Sequence, residues 1–448
     1  MEIDNGNRNR KQLKKGAIER MKSNTAFEVQ ATQLLKDYKP GSSFFFASPS
    51  RTLLAQGTLG ALPHGDASDT EGGLAERVAT LLESVRQSHG GHPIVVGAIP
   101  FDDSRAAQLL VPAETRWAGP LHSNSTNWHS ENGKAVGSAN VADSVNPVKL
   151  GQAPDYGIRS VPEPSEFVQG VEQALKYIAS GELNKIVLSR TLQLDTSEQV
   201  DVPSYLHNLA RHNTKGYTFA VDLPALEAEE AGSDRADVGV EQRTLIGASP
   251  ELLVSREGLH LTVNPLAGSA PRSDDPVEDK LRAAALLESV KDRHEHAVVV
   301  EAVALALRPL CRRLDVPQEP SLIQTETMWH LSTEITGELS DLSVSSLAVA
   351  LALHPTPAVC GSPTEQAKKV IRDIESFDRG FYTGIVGWCD AAGDGEWVIT
   401  IRCAEAAKHS LRLFAGAGIV AASNPEDELA ETAAKFGTML QALGLKHE

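Results

Sequence analysis

GELNKIVLSR, residues 181–190, marks the point where helical patterning gives way to strand patterning. The residues before it, 164–180, place apolar side chains on one helix face, with a proline at the start and Gly181 just after the end. That face consists of Phe167, Val171, Ala174, Leu175 and Ile178. Lys185 then heads a short apolar strand over 185–188. The segment therefore predicts a helix that leads directly into a core strand.

Strand patterns and long helical patterns are mixed on both sides of this segment. The helical patterns cover residues 276–310, as one long helix or a helix pair, and 425–443. The elements do not follow the regular alternation of a doubly wound sheet, so the predicted class is α+β. The strand patterns cover residues 43–47, 53–56, 94–99, 217–221, 252–254, 259–263, 395–403 and 410–414.

Residues 115–160 are poor in periodicity and rich in Ser, Asn and Pro, which predicts a long connection between a smaller first part and a larger second part. We expect a disordered basic tail over 1–24 and an N-terminal structural portion over 25–150, which joins the larger portion in one composite domain. A nucleic-acid arm is the alternative for the tail. Residues 225–243 are acidic and lie between strand patterns, so we interpret them as an exposed hairpin insertion.

The composition excludes several classes of protein. With 41% hydrophobic and 23% charged residues among 448, the chain can bury a large core. Its formal net charge of −17 argues against nucleic acid or an anionic membrane as a partner, because both need clustered positive charge. The four cysteines form no CxxC pair and no apolar run is long enough for a membrane helix, so we expect a cytoplasmic protein. An anionic ligand would require local cations.

Two short motifs suggest cofactors, and both are weak. Residues 416–421 match GxGxxA, but they lie about 30 residues from the end of the chain, which leaves no room for a nucleotide-binding βαβ unit. We prefer a glycine-rich loop that offers backbone amides to an anion. His294, Glu295 and His296 are adjacent and point to different helix faces, which argues against zinc. The alternatives for Glu295 are a hard-cation ligand and a solvated helix face.

The last helical pattern places Glu428 and Glu431 on one face, with Lys435 one turn further on. This spacing fits a carboxylate pair for Mg²⁺ and also fits an ordinary surface helix, since Mg²⁺ takes one or two carboxylates together with waters and substrate oxygens. Lys185 also has two interpretations. It is either an edge residue whose ammonium reaches solvent, or a neutral base in a partly buried, cation-rich pocket.

Nine segments, taken in order, resemble the chorismate-utilising enzymes, and among them the isochorismate synthases of catechol-siderophore pathways. The resemblance makes residues 160–445 a chorismate-binding catalytic domain, whereas 25–150 match only loosely. It implies an α+β fold in which large antiparallel-rich β-sheets pack together and are surrounded by helices. The segments are 181–190, 247–253, 265–272, 291–296, 353–358, 384–390, 399–403, 413–420 and 428–435.

The resemblance also implies a role for each residue at a matching position. Lys185 corresponds to the general base and Glu251 to the general acid. Glu295 and Glu431 correspond to Mg²⁺ ligands, and Glu428 to a residue in the water shell of the metal. The implied substrate contacts are Arg402, Lys435, Gly268, His330, Ala358, Phe414 and Tyr382, which stands where some relatives have Phe, together with backbone amides of a loop that contains Ala415, Gly416 and Gly418.

The implied reaction converts chorismate into isochorismate, by Mg²⁺-dependent addition of water at C2 with loss of the C4 hydroxyl. One group must accept a proton and another must donate one. We therefore expect nearby cations to keep Lys185 neutral, and burial with crowded carboxylates to keep Glu251 protonated.

The alternatives within the family are a salicylate synthase, which also expels pyruvate, and a menaquinone-pathway isochorismate synthase. The ammonia-using relatives lack the lysine found at Lys185, so we expect no glutaminase subunit. We expect a monomer that binds a small-molecule substrate and neither nucleic acid nor membrane. A catalytically dead binding protein would be expected to lose the lysine or a carboxylate, and all of them are present.

Overall fold

The computed structural model describes residues 29–63, 73–102, 105–122, 156–224 and 242–445. Its helices are α1 Ala31–Lys36, α2 Leu74–His89, α3 Pro164–Ala179, α4 Val202–His212, α5 Pro276–Glu288, α6 Val290–Leu307, α7 Ser346–Leu353, α8 Thr364–Ile374 and α9 Pro425–Ala442. Its strands are β1 Ser43–Ala47, β2 Thr52–Gln56, β3 Gly60–Ala61, β4 Ile94–Ile99, β5 Gln108–Val111, β6 Glu114–Ala118, β7 Gly157–Val161, β8 Lys185–Asp195, β9 Tyr217–Leu223, β10 Arg243–Ser249, β11 Leu252–Glu257, β12 His260–Asn264, β13 Leu266–Pro271, β14 Cys311–Asp315, β15 Ser321–Gln324, β16 Met328–Ser332, β17 Ile335–Leu339, β18 Gly361–Ser362, β19 Ile385–Asp390, β20 Gly395–Ile399, β21 Cys403–Ala406 and β22 Ser410–Ile419.

Two large sheets contain most of these strands. The first sheet has the order β18-β8-β22-β21-β10-β9-β1-β2-β6, with β7 also paired to β8. The second has the order β14-β17-β12-β11-β20-β19-β4-β5-β3. A small third sheet joins β13, β16 and β15. Strands from the N-terminal portion thus extend both large sheets, through the antiparallel pairs β1 with β9 and β4 with β19.

Side chains alternate along the strands and fill separate cores. In β1, Phe44 and Phe46 face a core shared by the two large sheets, whereas Phe45 faces the core formed with α1, α4 and α9. The outer side of the second sheet packs against α2, α6 and α7, and β8 packs against α3 and α8. The fold is a sandwich of antiparallel sheets with helices on its outer faces, which confirms the predicted fold class. No helix of the described part is both long and apolar enough to cross a membrane.

The two helices that carry acidic site residues begin at clear capping signals. Asn424 precedes α9, and its side chain accepts hydrogen bonds from two backbone N–H groups of the first turn, with Pro425 at the first helical position. Ser289 precedes α6, and its hydroxyl accepts from the N–H of Asp292. These caps fix the residue at which each helix begins.

The strand boundaries correct the prediction of a glycine-rich loop. The strand predicted over 185–188 continues to Asp195, and the one predicted over 410–414 continues to Ile419. Gly416 and Gly418 therefore lie inside β22, opposite Ser189 and Val187 of β8. The predicted loop at 415–418 is wrong, because a long antiparallel pair occupies the segment, and the GxGxxA match, already interpreted as weak, begins inside this strand.

One open alternative is decided, and two further predictions change in detail. Residues 276–310 contain a helix pair divided at Ser289, which was one of the two alternatives. The pattern at 395–403 is two strands, of which β20 belongs to the second sheet and β21 to the first. Arg243 opens β10 and does not belong to the acidic insertion. The rest of that insertion, 225–241, and the basic tail, 1–24, lie outside the described residues.

Candidate active site

A cleft lies where β8 and β22 meet β13, β16, α6 and α9. It holds about 600 Å³ of empty space, its mouth included. Lys185 and Glu428 are fully buried beside it; Lys185 contacts the lining residue Glu295, and Glu428 lies one turn before the lining residue Glu431. The other predicted site residues all line the cleft: Glu251, Gly268, Glu295, His330, Ala358, Tyr382, Arg402, Phe414, Ala415, Gly416, Gly418, Glu431 and Lys435.

The chain changes sheets between β20 and β21, and this change places Arg402 in the cleft. Thr400 N donates to Gly384 O at 2.9 Å, and Ala248 N donates to Arg402 O at 2.9 Å. Between these two anchors Arg402 adopts a left-handed φ of 50°. A residue other than glycine keeps this backbone conformation only when the surrounding structure enforces it. A strained backbone at a cleft residue is typical of functional sites.

The guanidinium of Arg402 is buried and oriented by a neutral histidine. Arg402 Nη2 donates to His330 Nε2 at 3.2 Å. Burial, together with the charges of Arg402 and Lys435, holds the pKa of His330 well below its usual value, so the ring can accept this bond. Arg402 Nε is buried and has no hydrogen-bond partner among the described residues. The arrangement leaves an aligned cationic donor for an anionic group.

Glu251 lies in the turn between β10 and β11 and is only 3% exposed. The backbone N–H of Leu266 donates to its Oε1 at 3.4 Å. Burial raises the pKa of Glu251 to about 7, although the charges of Lys185 and other cations oppose this shift. Glu251 is therefore partly protonated at neutral pH, as expected. The expected contribution of crowded carboxylates is wrong, because the charged neighbours that act on this group are cations.

Lys185 opens β8 and is fully buried, so it is not an edge residue that reaches solvent. Its Nζ lies 2.9 Å from Glu295 Oε1, without the alignment of a hydrogen bond. The ion-pair partner of this lysine is thus a carboxylate, whereas the cations Arg402 and Lys435 line the same cleft. Gly418 makes the pair sterically feasible, because a Cβ there would overlap Glu295 Oε1 and lie 3.1 Å from Lys185 Cε.

Helix α9 presents Glu431 to the cleft between a cation and a hydroxyl. Lys435 Nζ lies 2.5 Å from Glu431 Oε1 and also donates to Gly416 O at 2.8 Å. Ser269 Oγ donates to the same carboxylate at 3.0 Å. Burial alone would raise the pKa of Glu431, but Lys435 and these hydrogen bonds hold it below its usual value. Glu431 is therefore an anion in the cleft.

Glu428 lies deeper on the same helix face. Its Oε1 accepts a hydrogen bond from Lys291 Nζ at 2.6 Å, while its Oε2 is buried, with the Ser423 hydroxyl as a weak donor to the carboxylate. Burial, and then the charge of Glu431, raise the pKa of Glu428. A second cation close to these carboxylates would offset the repulsion between Glu428 and Glu431.

These acidic residues fit the Mg²⁺ that the sequence predicts. The donors are hard carboxylate oxygens, and both Glu295 and Glu431 line the cleft. No group of three or more His, Cys, Asp or Glu side chains converges on one point within the described ranges. Mg²⁺ does not need such a group, because one or two carboxylates with waters and substrate oxygens suffice. Glu295 and Glu431 would hold the ion, and Glu428 would lie beyond them.

Aromatic side chains form an apolar wall of the cleft. Tyr382 and Phe414 stack with ring centroids 4.8 Å apart and an interplanar angle of 11°. Tyr382 Oη donates to Ser189 Oγ at 3.3 Å. A Cβ on Gly416 would lie 2.8 Å from that phenol oxygen, so the glycine gives the ring its space. The two rings give this side of the cleft an apolar surface.

A buried ion pair behind this wall escaped the sequence analysis. Arg379 Nη2 lies 2.5 Å from Glu375 Oε1, and it also donates to Val187 O at 2.8 Å. Glu375 Oε1 accepts from Ser189 N at 2.8 Å. The spacing of the two residues is that of a common surface helix pair, so the sequence carries no signal that they are buried. Lys291 was missed for a similar reason, since its charged neighbours resemble a solvated helix face.

Comparison with known proteins agrees with this geometry. The sequence profile of chorismate binding enzymes matches residues 136–444. The chain is 54% identical to the isochorismate synthase DhbC of Bacillus subtilis (strain 168), over 95% of this chain and 99% of that protein. It is 41% identical to the vibriobactin-specific isochorismate synthase of Vibrio cholerae, over 94% of this chain and 96% of that one.

A solved structure is similar to this chain in both fold and sequence. The crystal structure of a candidate 2,3-dihydroxybenzoate-specific isochorismate synthase, DhbC from Bacillus anthracis, superimposes with a TM-score of 0.81. The match has 50% sequence identity and covers 93% of this chain and 100% of that one. The sequence and structure matches thus cover nearly the whole length, and the profile covers residues 136–444. The chain belongs to the chorismate binding enzyme family.

Proposed function

We propose that this protein is an isochorismate synthase, which converts chorismate into isochorismate. The observation that carries the proposal is the cleft itself, which unites a buried carboxyl with a pKa of about 7, a buried lysine and two cationic side chains. Each partner supplies one requirement of the reaction. The high identity to isochorismate synthases along the chain supports the same conclusion.

Arg402 and Lys435 bind the substrate in this proposal. Chorismate carries two carboxylates and meets a protein of net charge −17, so binding needs a local positive region. Arg402 offers a buried, oriented guanidinium, and Lys435 lies across the cleft on α9. The stacked pair Tyr382 and Phe414 would pack against the apolar part of the substrate.

Lys185 and Glu251 move the protons. Glu251 donates a proton to the departing C4 hydroxyl, and its raised pKa keeps the acid form available near neutral pH. Lys185 accepts a proton from the water that attacks C2, which requires the neutral amine, so the ammonium paired with Glu295 must first give up a proton. A bound Mg²⁺ would supply a Lewis acid for the ring carboxylate and a counter-charge for Glu295 and Glu431. In total, one water molecule is added at C2, and the C4 hydroxyl leaves as one water molecule.

The alternative enzymes differ in their nucleophile or in a later step. An ammonia-using enzyme needs no base for its nucleophile, so the buried Lys185 favours water. A salicylate synthase would also release pyruvate from the product. We further propose a catechol-siderophore pathway over menaquinone synthesis, supported by the relative described as vibriobactin-specific. The single chain spans nearly all of these relatives, and we propose that it acts in the cytoplasm as a monomer without a glutaminase subunit.

The identity of the product tests this proposal. We expect chorismate with purified protein and Mg²⁺ to give isochorismate in a reversible mixture with chorismate, because the reaction only relocates a hydroxyl. Chromatography would resolve the mixture, and lactate dehydrogenase with NADH would report pyruvate. Salicylate and pyruvate that rise together would establish the synthase–lyase alternative. A product formed only with ammonium would refute the role of Lys185.

A further inference from the structure

Every acidic residue predicted for the metal site is paired with its own lysine. Glu295 pairs with Lys185 at 2.9 Å, and Glu431 pairs with Lys435 at 2.5 Å. The third pair, Glu428 with Lys291 at 2.6 Å, differs from the others. Its lysine has no place in the proposed reaction and does not line the cleft. A third lysine beside these carboxylates therefore needs a different role.

Lys291 lies one turn before Glu295 on α6 and reaches across to Glu428 on α9. Its ammonium acts electrostatically on Glu428, Glu431 and Glu295, so one cation influences all three carboxylates. The side chain of Lys291 is 27% exposed, whereas that of Glu428 is fully buried. The buried acid is fixed, and the lysine is the partner with access to solvent.

We propose that Lys291 is a resident counter-cation of the metal site, which competes with Mg²⁺ for the acidic cluster and so sets the affinity for the metal. The inference rests on the Mg²⁺ dependence in the proposed function. Lys291 is a positioning residue and touches neither substrate nor reacting atoms. It keeps Glu428 compensated in a metal-free site, and it weakens metal binding through its charge.

The charge of Lys291 opposes the binding of a metal ion. A divalent ion held by Glu295 and Glu431 would be repelled by the ammonium, and this repulsion is only partly screened because the pair is mostly buried. Removing the ammonium leaves Glu428 buried without a cation, which destabilises the metal-free protein. The same carboxylate then attracts Mg²⁺ more strongly. Metal affinity should rise while the stability of the metal-free protein falls.

Isothermal titration with MgCl₂ alone tests the proposal on the full chain. We expect Lys291→Met to bind Mg²⁺ with a Kd at least about threefold lower than the parent, and Lys291→Arg, which keeps the charge, to bind like the parent. Lys176→Met on the exposed face of α3 is the matched control, because it removes the same net charge elsewhere. Lys291→Gln retains a donor for Glu428 without the charge, so it replaces Lys291→Met if that variant does not fold.

Thermal unfolding with and without Mg²⁺ gives a second readout. We expect Lys291→Met to melt at a lower temperature than the parent without metal, and to gain more from saturating Mg²⁺. An unchanged or higher Kd for both neutral variants overturns the inference, since Lys291 would then only hold Glu428 in place. Parent protein that binds no Mg²⁺ would instead refute the metal assignment in the proposed function.

Discussion

Glu251 owes its proposed acid role to burial, and this has a measurable consequence. Burial raises its pKa to about 7, and a general acid must be protonated to act. We expect kcat/KM to fall about tenfold per pH unit above the pKa, which lies near 7 in the free enzyme. A pH–rate profile on chorismate measures this limb. Activity that stays flat up to pH 9 would mean that another group donates the proton, and Glu251→Gln should be inactive throughout.

Gly418 is the residue that leaves room for the Lys185–Glu295 pair. A Cβ at this position would overlap the Glu295 carboxylate, so we expect Gly418→Ala to lower kcat/KM by about 100-fold through misplacement of both groups. Gly437→Ala on α9 is the matched control, because its Cβ would meet only Thr327 Cγ2 at 3.5 Å. Circular dichroism should show the same fold for both. Equal activity of the two variants would contradict the steric argument.

For individual residues, the sequence predicted which positions belong to the cleft better than it predicted which groups contact them. The residues named by resemblance come together in or beside one cleft, because motif spacing carries their order along the chain. The spacing does not reveal contacts between distant segments. The partner of Lys185 comes from α6, about 110 residues later, so this ion pair could not be predicted. Ser269, which donates to Glu431, was missed for the same reason.

Among the elements, helix α8 ends in a buried ion pair that ties together three segments. Glu375 and Arg379 join β8 to the segment at 359 and to the turn before β19. We expect Glu375→Gln to lower the free energy of unfolding by about 3–5 kcal/mol, because Arg379 would stay buried without its counter-charge. Urea unfolding of the folded variant measures the difference.

An exposed ion pair within helix α5 provides the control for this measurement. Arg282 Nε lies 3.0 Å from Glu278 Oε1 with the same separation of four residues, and both side chains are well exposed. We expect Glu278→Gln to cost less than about 1 kcal/mol. Equal costs for Glu278→Gln and Glu375→Gln would show that the buried pair adds nothing beyond a surface contact.

The sequence predicted elements well where one pattern persists, and poorly where glycine interrupts it. Strands 43–47 and 94–99 match the structure, because apolar residues fill them throughout. The strand predicted from Ser410 ended at Phe414, because Gly416 and Gly418 resemble a turn, whereas β22 continues to Ile419. The glycines serve the site and lie inside a strand, with Tyr382 and Glu295 packed against them. Local patterns cannot distinguish a turn glycine from one that admits a neighbouring side chain.

At the scale of the whole molecule, the acidic insertion connects the end of β9 to the start of β10, two strands that pair regularly. β9 and β10 pair from Leu223 opposite Arg243, so the chain leaves and re-enters the sheet at adjacent points. We expect deletion of 225–241, replaced by a two-residue turn, to leave kcat/KM within about threefold of the parent, since loop length costs little free energy. Steady-state assays on chorismate measure it. A soluble but inactive deletion would place the segment at the site.

The class of fold followed from the mixture of patterns, whereas the pairing of strands did not. The loss of periodicity over residues 115–160 predicted a division of the chain there. The sheets ignore this division, since β1 pairs with β9 and β4 with β19. Pairing across such distances depends on which buried faces meet, and no single segment contains that information.

The pairing of β4 with β19 also bears on how the protein is made. Ala98 lies opposite Val386, about 290 residues later in the chain. A ribosome that synthesises roughly 5–20 residues per second would release β4 well before its neighbour exists. During that interval the backbone groups of an apolar strand lack their partner strand. Contacts of such long sequence separation also slow refolding. Yield of active protein should therefore depend on chaperones and on growth temperature more than the stability of the finished sandwich suggests.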